Sequence, residues 1–199
     1  VIASSTNINT YGWALKVNSN MIKFTYYSGE KKEEVYIPIQ LNISSWYHVW
    51  AGYDVENSQL ILGYQTKLGG NKVVQKRSVK LNELKGLSGL ILAAKKINNR
   101  SKQHFNGRLE GTSLYNCLPI SDEVPCLPED SRHGELVAWW DFSIAVGTQS
   151  IIDRGPLGLS GRLKNIPSRG MRGARWSGGS MHWTTTPKDD SAIPVHEAD

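Results

Sequence analysis

The side chains of this chain that could do chemistry are few and widely spaced. Asp54, Glu110, Asp141 and Asp153 are carboxylates on or beside strand-like segments. Glycan hydrolysis would need two such acids flanking one scissile bond. On a strand that means i, i+2 or i, i+4 spacing, because successive side chains point to opposite faces. No strand candidate carries such a pair, and the adjacent Glu33 and Glu34 point apart. His48, His104, His133, His182 and His196 show neither HxH nor HExxH spacing. His182 and His196 stand near Asp189, Asp190 and Glu197, but in a polar, irregular tail. Cys117 and Cys126 flank Pro119 and Pro125 at a spacing that fits neither a metal knuckle nor a CxxC redox pair. They are expected to be free thiols rather than a loop disulfide, since a core of this size needs no covalent staple. Gly155, Gly158 and Gly161 resemble a phosphate cradle, yet no helix follows, so positive φ in successive turns is the expectation. No Ser–His–Asp order or dinucleotide fingerprint is present. No catalytic, cofactor-binding or metal residue is therefore assigned, and the chain by itself is expected not to be an enzyme.

The elements that must position these groups are strands. Tyr11–Val17, Met21–Tyr27 and Glu34–Ile39 are rich in aromatic and β-branched residues and are separated by Asn18-Ser-Asn20 and Ser28-Gly-Glu30, which are turn-type breaks at hairpin spacing. Pro38 places the third of these at a sheet edge or ends it. Trp46–Asp54 and Gln59–Gln65 form a hairpin around Val55–Ser58, with Trp46, His48 and Trp50 on one face and Tyr47, Val49, Ala51 and Tyr53 on the other. Both faces are apolar enough for a strand in a sandwich interior. Val73–Val79, Leu87–Ala94 and Phe105–Tyr115 follow as further strands, and Asn116–Arg132 reads as a connection. Leu136–Phe142 sets Ala138, Trp140 and Phe142 against Val137, Trp139 and Asp141. No helical period of convincing length appears, so the fold class is all-β.

The 199 residues, 39% of them hydrophobic, suit a single two-sheet domain over 1–183, with 184–199 a polar tail or linker to a downstream domain that the chain does not carry. No apolar run reaches the ~20 residues of a membrane span, and no membrane partner is expected. The net charge of +5 concentrates in Arg154, Arg162, Lys164, Arg169, Arg172 and Arg175. No nucleic-acid motif accompanies it, so no nucleic acid is expected either. A cytoplasmic location is the expectation. The start at Val1 rather than Met reads as a fragment or processed piece.

Three segments resemble the concanavalin A-like/laminin-G-like superfamily. Trp46-Tyr-His-Val49 is similar to its central strand, Phe105-Asn-Gly-Arg-Leu-Glu-Gly-Thr-Ser-Leu-Tyr-Asn116 to its closing strand, and Ala138-Trp-Trp-Asp-Phe142 with Asp153–Gly161 to its opening strand pair. In the usual order the last of these comes first. The resemblance thus implies a two-sheet antiparallel jelly-roll sandwich with circularly permuted strand order, in which Leu136–Phe142 lies beside Arg108–Tyr115. A permuted unit of this kind resembles the large subunit of N,N-dimethylformamidases. The stretches Leu136–Ser143, Gly161–Arg169 and Gly173–Gly178 match that family's pattern in sequence, and Ala192–His196 more loosely. The family carries its catalysis, tied to an iron site, in a separate domain. What the resemblance implies is a non-catalytic module that packs against its own downstream catalytic domain or another subunit. A carbohydrate-binding lectin-like module, with glycan as partner and Trp50 and Trp139 as its aromatics, is the alternative. No cofactor is expected; a structural calcium ion between Asp141 and Glu110 is the one alternative the superfamily suggests. For Asp141 the simpler role is to accept backbone hydrogen bonds from the hairpin that follows it, and for Trp139 it is burial.

Overall fold

The structure, a computed structural model, describes residues 1–5, 11–18, 20–42, 45–66, 70–80, 89–97, 100–116 and 136–164. These residues contain strands and turns but no helix, so the all-β expectation holds. The chain divides into two compact units, residues 1–107 with 118–125, and residues 108–117 with 126–199. Cys117, Cys126, His133, His182, His196, Arg169, Arg172, Arg175 and the tail 184–199 lie outside the described residues.

In the first unit, β1 (Ala3–Ser5), β2 (Tyr11–Asn18), β3 (Met21–Ser28), β4 (Lys31–Pro38) and β8 (Leu90–Leu92) form a sheet in the order β4-β3-β2-β1-β8. A second sheet has the order β5-β6-β7, from Tyr47–Asp54, Gln59–Thr66 and Val73–Ser78, and β9 (Lys95–Ile97) pairs with β10 (Arg100–Lys102). Local chemistry sets the hairpins. Asn18 Oδ1 accepts the Asn20 and Met21 N–H groups at 3.0 and 2.9 Å, closing the β2–β3 turn. Gly29 at φ 64° closes the two-residue β3–β4 turn. Pro38 both ends β4 and leaves it at the sheet edge, as a residue without an N–H must.

Alternation then builds the core. Leu15, Phe24 and Val35 stand opposite one another across β2, β3 and β4, as do Val17, Ile22 and Ile37. They share one apolar cluster with Leu60, Leu62 and Val79, against which Val49, Ala51 and Tyr53 pack. The two sheets thus enclose a common layer of side chains. Arg77 of β7 fastens their margins: its guanidinium donates to the Glu34 carbonyl at 2.6 Å and pairs with the Glu33 carboxylate at 3.3 Å. Among the described residues β5 pairs with β6 alone, and β6, with Leu60, Ile61 and Leu62 all buried, is the central strand of its sheet.

The second unit holds a four-stranded sheet in the order β11-β12-β13-β14, from Thr112–Tyr115, Leu136–Asp141, Ser150–Asp153 and Gly161–Arg162. β11 runs antiparallel to β12, with Thr112 opposite Trp140 and Leu114 opposite Ala138. This is the neighbour relation expected from the permuted order. The expected strand from Phe105 is shorter than read, because Gly111 at φ 57° interrupts extended geometry just before Thr112. β1, β9 and β10 were not anticipated.

Candidate functional site

β12 is central in its sheet, and its alternation presents Ala138 and Trp140 to one side and Trp139 to the other; all three are buried. Around it the structure gathers the two carboxylates of the motif-bearing segment. Asp153, at the end of β13, is 8% exposed. One carboxylate oxygen accepts the Trp139 and Gly155 N–H groups, each at 2.7 Å, and the other accepts the Leu159 N–H at 2.6 Å. The Trp140 indole donates to the Leu159 carbonyl at 2.8 Å, and the Arg154 N–H to the Trp139 carbonyl at 2.7 Å. A buried carboxylate is tolerable when backbone donors surround it. Asp153 thereby becomes the clasp between β12 and the 154–160 turn.

The glycines of that turn serve different ends. A Cβ on Gly155 would stand 2.7 Å from the Ala138 Cα and 2.9 Å from Asp153 Oδ1, so a close approach of two backbones requires glycine there. Gly158 has φ 61°, the positive value expected of all three. Gly161 lies in β14, where an added Cβ would make only ordinary contact with Ile151. The expectation of positive φ is met at Gly158 alone of the three.

Asp141 ends β12. Its Oδ1 accepts the Ser143 N–H at 3.0 Å and the Ser143 hydroxyl at 2.6 Å, and Arg154 approaches Oδ2 at 3.4 Å. Burial pushes the Asp141 carboxyl pKa up, but the Ser143 hydrogen bonds and the Arg154 guanidinium outweigh it and hold the carboxyl below its ordinary value. The Arg154 guanidinium also lies 4.8 Å from the Trp139 ring centre. Asp141 therefore does accept the hydrogen bonds of the following hairpin, and Trp139 is buried, as the simpler readings have it. Glu110 lies just before β11 and is half-buried.

The other candidates stand apart from this cluster. Asp54 belongs to the first unit, where its two oxygens accept the Asn57 N–H and side-chain amide at 2.9 and 2.8 Å. Those bonds hold its pKa low, and they make it a turn cap. His48 meets Trp50 edge-on at 5.5 Å on β5, and burial pushes its pKa down. His104 is exposed after β10. Glu33 pairs with Arg77, while Glu34 accepts from Thr25 and pairs with Lys23 and Lys32; the two do diverge to opposite faces. Among the described residues no three His, Cys, Asp or Glu side chains come together as metal ligands. The carboxylates of the segment are thus committed to backbone, hydroxyl and guanidinium partners rather than aimed at an open cleft. Sequence reasoning missed the Lys16–Lys23 pair on the first sheet, although the β2–β3 turn alone fixes the register that aligns it.

No family model matches the chain. One curated relative is the N,N-dimethylformamidase beta subunit of an Alcaligenes species, 30% identical over 105 aligned positions. The match covers 47% of this chain and 13% of the relative, so the chain corresponds to a small part of that polypeptide. What is established is a chain whose described residues are all-β and which is similar, over 47% of its length, to one region of a dimethylformamidase subunit.

Proposed function

We propose that this chain is a non-catalytic β module of an N,N-dimethylformamidase-type polypeptide. In this reading it is a circularly permuted laminin-G-like jelly roll over residues 1–183. Its work is packing against the downstream catalytic domain or another subunit, in a parent protein that hydrolyses amides. The observation that carries the reading is the state of Asp153 and Asp141: both acids hold turns and neighbouring side chains, leaving neither free for general acid–base work. The likeness to a subunit of a dimethylformamidase and the pairing of β11 with β12 support it. No cofactor belongs to the module. A calcium ion at Asp141 would have to displace Ser143 and Arg154.

The test is made in the full-length parent protein. Asp153→Asn should reduce the fraction of assembled enzyme by size exclusion with light scattering. The rate on N,N-dimethylformamide per assembled enzyme should stay unchanged. Intact assembly with a lost rate would overturn the packing role. The lectin reading keeps one specific support, the Trp50–His48 pair on β5, since Trp139 is buried under Arg154. Glycan-array binding that disappears in Trp50→Ala would favour it.

A further inference from the structure

The face of the β4-β3-β2-β1-β8 sheet turned away from the apolar cluster carries charge of predominantly one sign. Ser4, Ala14 and Thr25 in its middle row are buried, while Lys23, Lys32 and Glu34 on β3 and β4 keep part of their side chains exposed. Register sets Lys16 directly opposite Lys23, Thr25 opposite Glu34, and Tyr27 opposite Lys32, in three successive rows. The β9–β10 hairpin adds Lys95, whose ammonium lies 5.4 Å from the Tyr27 ring centre, and sets Lys95 opposite Lys102. Like charges directly opposite in a ladder are destabilising, and among the described residues the first unit contains two such pairs. Glu34 is divided among several donors: Lys32 at 2.9 Å, Lys23 at 3.6 Å and the Thr25 hydroxyl at 3.0 Å. Among the described residues no carboxylate lies within ion-pair distance of Lys16. Burial first, then Lys95, Lys23 and Lys32, holds its pKa below the ordinary lysine value. Beside Lys23 stands Tyr36, 55% exposed. The face is electrostatically incomplete, a property that favours encounter with a partner of opposite sign.

We propose that this face docks an extended acidic segment of a partner polypeptide, with carboxylates seated on the Lys16–Lys23 row and on the Lys32–Lys95 group. The proposal rests on the packing reading and names the chemistry of the partner. Rows two residues apart on a strand are separated by about 7 Å, so the lysine rows lie about 13 Å apart. An extended peptide spans that distance with acids at i and i+4. Between the lysine rows lies Glu34, so the complementary pattern is acid, base, acid at alternate positions. A polypeptide can present that alternation; a uniformly anionic nucleic acid or sulfated glycan cannot.

The probe is a fluorescein-labelled peptide with repeated Glu-x-Lys-x-Glu, measured by anisotropy against the whole chain. A single-stranded oligodeoxynucleotide and a heparin oligosaccharide are measured in parallel. The peptide should bind, and its affinity should fall about tenfold between 50 and 300 mM salt as screening shortens the reach of the charges. Lys16→Gln combined with Lys23→Gln should weaken binding at least about tenfold without lowering the melting temperature, since the change removes a repulsive pair. Lys32→Gln alone should weaken it less. Absence of peptide binding, unchanged affinity in the double variant, or tighter binding of the oligonucleotide or heparin would overturn the proposal. If peptide binding fails while assembly still responds to Asp153→Asn, the docking face is wrong and the packing role stands.

Discussion

Asp153→Asn removes a charge and converts one acceptor oxygen into a donor, without changing the volume of a side chain that is 8% exposed. The carboxylate accepts two N–H groups on Oδ1, from Trp139 and Gly155, and one on Oδ2, from Leu159. The best amide orientation keeps the first two and turns the Asn amide toward the Leu159 N–H, donor against donor. The lost charge-assisted bond is worth about 1.5–3 kcal/mol, and the opposed donors add to it, giving about 3 kcal/mol in all. Asp153→Ala strips acceptors from all three N–H groups and should cost about 4–5 kcal/mol, near the upper end for single substitutions. Urea titration followed by tryptophan fluorescence reports the change directly, because Trp139 and Trp140 lie in β12 beside the clasp. At about 2–4 °C per kcal/mol for a chain of this size, the Asn variant should melt about 6–12 °C lower. A loss below about 0.5 kcal/mol for Asn, or an Ala variant no worse than Asn, would refute the assignment of Asp153 as the clasp, since surface changes stay within that range.

Gly155→Ala should cost about 2 kcal/mol in the same titration, because its Cβ would stand 2.7 Å from the Ala138 backbone rather than against a side-chain tip. Tyr26→Phe should instead stabilise the chain by about 1 kcal/mol: the Tyr26 hydroxyl is buried without a hydrogen-bond partner among the described residues, and burial followed by Tyr53 pushes its pKa up to about 12. Differential scanning calorimetry of the Phe variant checks this, and a lower melting temperature would count against it. Burial holds the His48 pKa below its ordinary value, so the unfolded chain takes up the proton first. Its contribution is complete above about pH 6.5 and is lost as pH falls through the folded-state value. The urea midpoint should therefore drop between pH 7.5 and 5.5, and His48→Gln should flatten that drop.

Strand positions were legible wherever local physics sufficed. Asn18 and Gly29 close tight turns, and alternation between them assigns Leu15, Phe24 and Val35 to one face before any contact is known. β1 was not legible. Ala3-Ser4-Ser5 shows no apolar alternation, and it is a strand because β2 and β8 pair with it on both sides while the Ser4 hydroxyl finds the Ala94 carbonyl at 3.1 Å. The buried status of Ser4 is thus a tertiary outcome. The pairing of β5 was not legible either: among the described residues it pairs with β6 alone, and facial polarity reports what covers a strand, not how many strands flank it.

Readable from the residues before any contact was known were the all-β character that the described residues show, the places where the hairpins turn, and the meeting of the Trp139–Trp140 segment with the strand ending at Tyr115. These follow from period-two patterning and short turns, which act over a few residues, and from the family resemblance of the two segments. What Asp153 serves, why Gly155 must lack a Cβ, and that Lys95 reaches the Tyr27 ring beside an overshared Glu34 came from the folded chain. A carboxylate or an ammonium has the same letter whether it is satisfied or not. Its role is set by which groups the register and the folded turns bring within about 3–4 Å, where hydrogen bonds and ion pairs form.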